Sequence, residues 1–186
     1  RPSTGNRFFV EKTPQHIKAS EFIPISKNLK KIDFYGGEPF LNVSHLELLE
    51  AMENPQDTTL FYSTNCTNMP TTRLKRAWNK FKKIEISLSV DGTQERFEFL
   101  RHPGKWNKAL KVIDTIDNLQ NELDCEVYVM GSLTVSAMNV LDVDNIYSWH
   151  KDRGDVYINM VQSPAYMSIS RMPDHIKQVV RDNITN

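Results

Sequence analysis

Cysteine is scarce in this 186-residue sequence, which contains only Cys66 and Cys125. The two lie far apart, so they form neither a close metal-ligand pair nor the disulfide framework of a small secreted domain. We therefore expect a protein of the reducing cytoplasm. Apolar runs are short, and none approaches the roughly 20 residues that cross a bilayer. The opening segment, Arg1 to Arg7, lacks the apolar stretch of a signal peptide, so a soluble protein without a membrane partner is predicted.

An excess of charge of one sign is also absent, because 23 basic residues balance 23 acidic ones. No global field attracts nucleic acid, so any such partner needs a local patch. The segment from Arg73 to Lys83 mixes basic and aromatic residues, as nucleic-acid surfaces do. Four of its apolar residues nevertheless share one helical face: Leu74, Ala77, Trp78 and Phe81. This pattern favours an outer helix with a solvated basic side, and nucleic-acid binding is the less favoured alternative.

Clustered metal ligands are missing as well. The five histidines have no partner at helical spacing and no neighbouring cysteine: His16, His45, His102, His150 and His175. Surface histidines, or buried ones with satisfied hydrogen bonds, are expected in place of a zinc site. We predict that no residue of this sequence binds a metal.

Five short runs rich in β-branched and aromatic residues alternate with helical patterns. The predicted strands are 32–35, 59–63, 84–90, 126–135 and 156–161. The predicted helices are 44–53, 71–81, 105–122, 140–150 and 173–183, with Asn42 or Ser44 capping the first. Strand then helix, repeated, favours parallel strands with right-handed crossovers. A doubly wound open sheet shows the same alternation, so periodicity alone does not separate it from a barrel.

The first predicted strand ends abruptly in Gly36, Gly37, Glu38 and Pro39. Adjacent glycines allow positive φ and leave no Cβ between the main chain and a ligand, while proline fixes its own φ. Backbone carbonyls and the Glu38 carboxylate would then face outward together, which suits an ammonium group. A tight turn with Glu38 in water is the alternative interpretation.

Polar residues also follow the other predicted strands, whose carboxyl ends share one edge of a parallel sheet. They are Ser63, Thr64, Asn65, Ser87, Ser89, Asp91, Ser132 and Thr134. Such hydroxyls and amides can bind a ribose, an adenine edge and a carboxylate, and Arg101 can pair with that carboxylate in a bidentate manner. Turn or cap chemistry explains each of these residues singly.

Three of these strand ends resemble segments of radical S-adenosylmethionine (SAM) enzymes. Residues 34–41 resemble the Gly-Gly-Glu-Pro motif, which holds the SAM amino group. Residues 62–67 resemble the Thr-Asn-Gly segment, with Cys66 where glycine is usual, and 86–92 resemble the Ser-Leu/Val-Asp-Gly segment. Their order and spacing agree with the family.

Two later regions extend the resemblance. Phe99-Leu100-Arg101, followed by Trp106, is similar to the region that supplies an arginine to the SAM carboxylate. Residues 131–135 and Asn139 resemble the next strand and its exit. The nearest members are those with an auxiliary-cluster twitch or SPASM extension after the barrel.

The resemblance implies an α/β fold, a partial (β/α)6 TIM-like radical SAM barrel of parallel strands and outer helices, formed by residues 1–186 as one domain. SAM would lie across the carboxyl ends of the strands. Gly36, Gly37 and Glu38 would hold its amino group, and Ser89 and Arg101 its carboxylate or ribose. The remaining residues of the predicted SAM site are Pro39, Asn65, Ser87 and Thr134.

A Cys-x3-Cys-x2-Cys loop is the feature of the family that this sequence lacks. In the family that loop binds the 4Fe-4S cluster, which cleaves SAM to a 5'-deoxyadenosyl radical. It precedes Gly-Gly-Glu by a few tens of residues, so we expect the cluster ligands and the first strand upstream of Arg1. This chain alone is then inactive.

The full-length protein would be a radical SAM enzyme that abstracts hydrogen from a substrate, a peptide in the nearest members, with an electron donor as a further partner. A degenerate, non-catalytic barrel that binds a small molecule or serves as a scaffold is the alternative.

Overall fold

The computed structural model describes residues 19–184 and contains one sheet of five parallel strands whose order follows the chain. The strands are β1 (Lys31–Phe34), β2 (Thr59–Thr64), β3 (Lys83–Ser89), β4 (Glu126–Val135) and β5 (Val156–Met160). All five predicted strands are confirmed, with ends shifted by at most one residue. Helices connect them, so the predicted α/β partial barrel is confirmed. Segment Arg1 to Arg7 and His16 lie outside the described residues.

Eight α-helices accompany the strands in the described part of the chain. They are α1 (Ala19–Ser26), α2 (Val43–Ala51), α3 (Thr72–Trp78), α4 (Gln94–Leu100), α5 (Trp106–Asp117), α6 (Leu119–Glu122), α7 (Val143–Lys151) and α8 (Asp174–Ile184). None of these helices is long and apolar enough to cross a membrane. Asn42 caps α2 by accepting the His45 N–H at 3.3 Å, which decides between the two predicted caps.

Two helices were not predicted, and their sequences explain why. Helix α1 contains Pro24, which predicts a break rather than a helix interior. Helix α4 has only seven residues and one buried side chain, Phe97, so it shows no repeated apolar period. Both helices are held by tertiary packing that a periodicity argument does not detect.

The prediction of a single helix over 105–122 is wrong, because α5 and α6 meet at Asn118. The Asn118 side chain donates to the Asp114 carbonyl at 2.7 Å and so competes with the backbone ladder. The helix predicted over 140–150 begins later than expected. Residues Val140–Asp142 form a 3-10 turn, and α7 begins at Val143.

The two faces of the sheet differ. On the helix-covered face, Leu60, Tyr62 and Ile86 are fully buried. The opposite face is the inner face of the partial barrel, called the luminal face below. There, alternate residues such as Phe61 and Ser63 are only half-buried. This alternation is the pleat of a strand. Residues Leu74, Ala77 and Trp78 of α3 join the covered core, which confirms the apolar face predicted there. The predicted helix over 71–81 is too long, because α3 ends at Trp78, and Phe81 joins the same core from the turn that follows.

Ion pairs occupy the amino-terminal half of the luminal face. Lys31 reaches Glu85 at 2.9 Å, and Lys83 reaches Glu126 at 3.0 Å. Lys83 also lies over the Tyr128 ring, 5.0 Å from its centroid. These two ion pairs form the charged floor of the luminal face, at the amino-terminal ends of the strands. Hydroxyl groups lie at the opposite, carboxyl-terminal ends.

Candidate functional site

The glycine pair forms an exposed left-handed turn after β1. Gly36 has φ +82° and Gly37 has φ +50°. A Cβ at either position would meet no atom within 4 Å, so the backbone angle, not the space, requires glycine here. A side chain in this conformation costs roughly 1–2 kcal/mol. Pro39, two residues after Gly37, is buried and begins a 3-10 turn.

The Glu38 carboxylate turns inward to the end of β2 instead of facing outward as predicted. It accepts the Thr64 hydroxyl at 2.9 and 3.0 Å, the Asn65 N–H at 3.1 Å and, at 3.5 Å, the Phe40 N–H. The donors of Thr64 and Asn65 lie at the end of β2, where the strand has no further partner in the ladder. The Glu38 carboxylate takes the place of that partner. Glu38 thereby ties the end of β1 to the end of β2.

Two opposing effects act on the charge of the Glu38 carboxyl group. Burial raises the pKa of this carboxyl group, although the hydrogen bonds from Thr64, Asn65 and Phe40 oppose the rise. An ionised carboxylate offers about four acceptor positions, and three donors occupy them here, so one remains. An ammonium group placed there would favour the ionised form and lower the pKa.

Cys66 has a backbone conformation that is typical of glycine. Its φ is +59°, in the left-handed region that favours glycine. The residue is fully buried, and burial raises the pKa of its thiol. A protonated, enclosed thiol is a poor nucleophile and a poor metal ligand.

Asp91 organises the strand ends on the other side of the site. One carboxylate oxygen accepts the Thr134 N–H at 2.7 Å, and the other accepts Nη2 of Arg101 at 2.5 Å. Arg101 also donates to the Ser89 carbonyl at 3.1 Å. Asp91 thus joins the exits of β3 and β4 and holds the guanidinium beside them.

Arg101 is only partly available to a ligand, because Asp91 already takes one donor. The buried Nε of Arg101 has no hydrogen-bond partner among the described residues. The side chain is 30% exposed, so part of the guanidinium still reaches solvent. An incoming carboxylate would share Arg101 with Asp91, in place of the isolated bidentate pair that was predicted.

A layer of hydroxyls separates Glu38 from Arg101. The Ser63 and Ser89 hydroxyls lie 3.2 Å apart. Ser63 is paired in register with Ser87, and Ser89 with Ser132, so these serines share the luminal face. The layer lies at the carboxyl ends of the strands, above the charged floor.

Two predicted residues contribute differently from what was expected. The Asn65 side chain accepts the Thr67 N–H at 3.0 Å, within its own loop, and only its backbone N–H reaches Glu38. Thr134 contributes its backbone N–H to Asp91. The remaining predicted site residues lie along one edge of the sheet, as the parallel topology requires.

Sequence reasoning named Thr64 and Asp91 among the polar residues at strand ends, and Asn139 in the resemblance, but it assigned none of the three to the predicted SAM site. Asn139 donates to the carbonyls of Asp91 at 2.8 Å and Thr134 at 3.0 Å. The sequence signal was present for Asp91, which precedes Gly92 at a strand end, but a turn explains that dipeptide equally well.

A metal centre is not found in the described part of the chain. Within residues 19–184, no three His, Cys, Asp or Glu side chains are grouped to hold a metal ion. Cys66 and Cys125 are both free and do not form a pair. These residues do not fit a 4Fe-4S cluster, which needs several thiolates on one site.

Comparisons by sequence and by structure give different results. The sequence matches no protein-family model and no curated protein. Solved structures do match its fold. Streptococcus suis SuiB bound to S-adenosylmethionine has a TM-score of 0.62 and 15% identity, covering 95% of this chain and 43% of SuiB.

Two further structures agree. Native anSMEcpe with bound AdoMet and Kp18Cys peptide has a TM-score of 0.58 and 17% identity, over 83% of this chain and 44% of that one. SuiB bound to the precursor peptide SuiA has a TM-score of 0.53 and 17% identity, over 91% and 40%. The chain therefore spans less than half of these proteins. The chain has the fold of the radical SAM enzymes SuiB and anSMEcpe.

Proposed function

We propose that this chain is the SAM-binding part of a radical SAM enzyme and that residues 1–186 act as one domain. The observation that carries the proposal is the pairing of an acid and a base on one sheet edge, with hydroxyls between them. Glu38 holds the ends of β1 and β2, and Arg101 lies at the ends of β3 and β4. A zwitterionic amino acid needs both charges, and a ribose suits the hydroxyl layer.

Each part of SAM has a partner in this arrangement. The amino group takes the remaining acceptor position of Glu38, beside the exposed Gly36 and Gly37 turn. The carboxylate takes the solvent-facing side of Arg101. The ribose hydroxyls bind among Ser63 and Ser89. The SAM bound by SuiB and the AdoMet bound by anSMEcpe support this choice of ligand.

The radical reaction of the whole enzyme needs a 4Fe-4S cluster, which supplies the electron that cleaves SAM. The described residues do not fit that cluster, so for this chain we derive no step beyond binding SAM. We propose that cluster ligands outside residues 19–184 complete the enzyme.

Glu38→Gln tests the amino-group assignment. The amide keeps the shape of the side chain and an acceptor for Thr64 and Asn65, but it removes the charge. A hydrogen bond to a charged group contributes about 1.5–3 kcal/mol, so we expect the Kd for SAM to rise about tenfold or more. Isothermal titration calorimetry with SAM measures the change.

Two controls make this result specific. 5'-Methylthioadenosine lacks the amino-acid part of SAM, so Glu38→Gln should leave its Kd unchanged. Glu85→Gln removes a carboxylate from the charged floor of the same sheet and should not affect SAM. An equal loss for both ligands would contradict the assignment of Glu38. Absence of SAM binding by the unaltered chain would contradict the proposed function itself.

We further propose that the substrate is a peptide. Two observations support it: SuiB is solved with the precursor peptide SuiA, and anSMEcpe with the Kp18Cys peptide. In this chain, the luminal hydroxyls and the ion pairs of the floor offer donors and acceptors to a peptide backbone.

A binding experiment tests the peptide proposal. The chain is incubated with a mixed pool of short peptides, with and without SAM, and mass spectrometry identifies the peptides that stay bound. Retention should depend on SAM, and retention that SAM does not alter would argue against a peptide substrate.

A further inference from the structure

Three consecutive carbonyls leave the end of β3, and each accepts a hydrogen bond from a side chain of a different segment. The Ser89 carbonyl accepts Arg101 at 3.1 Å, and the Asp91 carbonyl accepts Asn139 at 2.8 Å. The Val90 carbonyl, between them, lies 2.7 Å from Nε2 of His150. Backbone that has left a ladder needs such partners, and here three side chains fix the segment from Ser89 to Asp91.

His150 lies on α7 and has no exposed surface. Because a carbonyl only accepts, Nε2 must carry the proton, which leaves Nδ1 as an acceptor. That Nδ1 is buried and has no hydrogen-bond partner within residues 19–184. Burial lowers the pKa of His150, against the hydrogen bond to Val90 and the charge of Asp91, while Arg153 adds to the lowering. The neutral form of the ring is therefore favoured. Among the described residues the ring makes one hydrogen bond, to Val90, and it packs edge-on against the Trp149 ring, with 4.9 Å between the ring centroids.

Gly131 on β4 makes the space for this ring. A Cβ at residue 131 would lie 2.5 Å from Nδ1 of His150 and 2.8 Å from its Cβ. Such distances are too short for any side chain, so His150 can occupy this position only because residue 131 is glycine. Gly131 thus lets α7 pack closely enough on the helix-covered face of the sheet for His150 to reach the Val90 carbonyl, just after β3.

We propose that His150 is a positioning residue of the SAM site: from the outer helix α7 it holds the Val90 carbonyl and thereby sets Ser89 and Asp91, which in turn hold Arg101. The inference rests on the proposed function. A buried ring with one unsatisfied nitrogen gives less stability than a close-packed apolar side chain. An apolar side chain at residue 150 could fill the same space but could not donate a hydrogen bond to the Val90 carbonyl.

A pair of variants separates the hydrogen bond from the packing. In His150→Gln the side-chain amide reaches as far as Nε2 and keeps a donor for Val90. In His150→Met the flexible thioether fills the volume but donates nothing. His45→Met is the matched control, because His45 is also a buried histidine on an outer helix, and its contacts are to Asn42 and Tyr62.

Two measurements follow, the first without SAM. The Thr134 amide donates to Asp91, so its hydrogen exchange reports whether Asp91 stays in place. We expect Thr134 to exchange about tenfold faster in His150→Met, after correction for global stability, and at the unaltered rate in His150→Gln and His45→Met. The Kd for SAM should rise about tenfold in His150→Met alone and be restored in His150→Gln.

The outcomes are distinguishable. Equal effects of His150→Met and His45→Met on Thr134 exchange or on SAM affinity would reduce His150 to a stability role and overturn the proposal. Failure of His150→Gln to restore either property would do the same. If the unaltered chain does not bind SAM, the proposed function fails, and Thr134 exchange still decides whether His150 positions the β3 exit.

Discussion

Asp91→Ala is expected to lower the free energy of unfolding by about 2–3 kcal/mol and to weaken SAM binding more than any single hydroxyl deletion. The carboxylate is 14% exposed and binds both Arg101 and the Thr134 amide. Removing one partner of a buried pair costs about 3–5 kcal/mol. Because Arg101 is 30% exposed, solvent screens part of that loss, and we reduce the expectation accordingly.

Urea unfolding and SAM titration measure the two effects. Asp91→Asn keeps an acceptor for Thr134 and should lose less stability than Asp91→Ala. Asp117→Ala is the control, since Asp117 accepts a hydrogen bond from Arg153 at 3.1 Å in another partly buried ion pair, in which the carboxylate is 32% exposed. Burial raises the pKa of Asp117 despite that pair, so its charge contributes little stability. Similar losses at Asp91 and Asp117 would show that Asp91 has no special place at the strand ends.

The sequence identified the edge of the sheet that forms the site, because parallel strands bring their carboxyl ends together whatever their details. It did not identify the pairings across that edge. Asp91 meets Thr134 across 43 residues, and His150 meets Val90 across 60. The first contact depends on the register of β3 and β4, and the second on how α7 packs on β4. Neither periodicity nor a strand-end motif contains that information.

The orientation of Glu38 shows the same limit. Adjacent glycines and a proline predicted the turn correctly, because those residues act on their own backbone. The direction of the carboxylate depends on Thr64 and Asn65, whose donors become available only when β2 ends beside β1. Cys66 is the opposite case: its left-handed φ of +59° is what a segment resembling Thr-Asn-Gly would have at the glycine position.

Acid should destabilise the protein through His45, which is neutral and buried between α2 and β2. Trp78 donates its indole N–H to the Tyr62 hydroxyl at 3.0 Å, and this hydroxyl lies 2.8 Å from Nε2 of His45. The hydroxyl therefore donates to Nε2, and Nδ1–H donates to the Asn42 carbonyl at 3.2 Å. Burial lowers the pKa of His45 from 6.5 to about 4.

Because the folded pKa of His45 is the lower one, the unfolded chain takes up the proton first as the pH falls. Stability is thus full above pH 6.5 and is lost between 6.5 and about 4. The loss is about 3 kcal/mol at 1.36 kcal/mol per pKa unit. Urea unfolding at pH 7.5 and 4.5 measures the difference in the free energy of unfolding between the two pH values, to which other titrating groups also contribute.

The variant His45→Gln isolates the contribution of His45. It keeps an acceptor for Tyr62 without a titrating ring and should remove most of the difference. His175→Gln, at an exposed position on α8, should leave it intact. If His45→Gln and the unaltered chain lose stability in parallel, the Tyr62 network does not hold a neutral histidine.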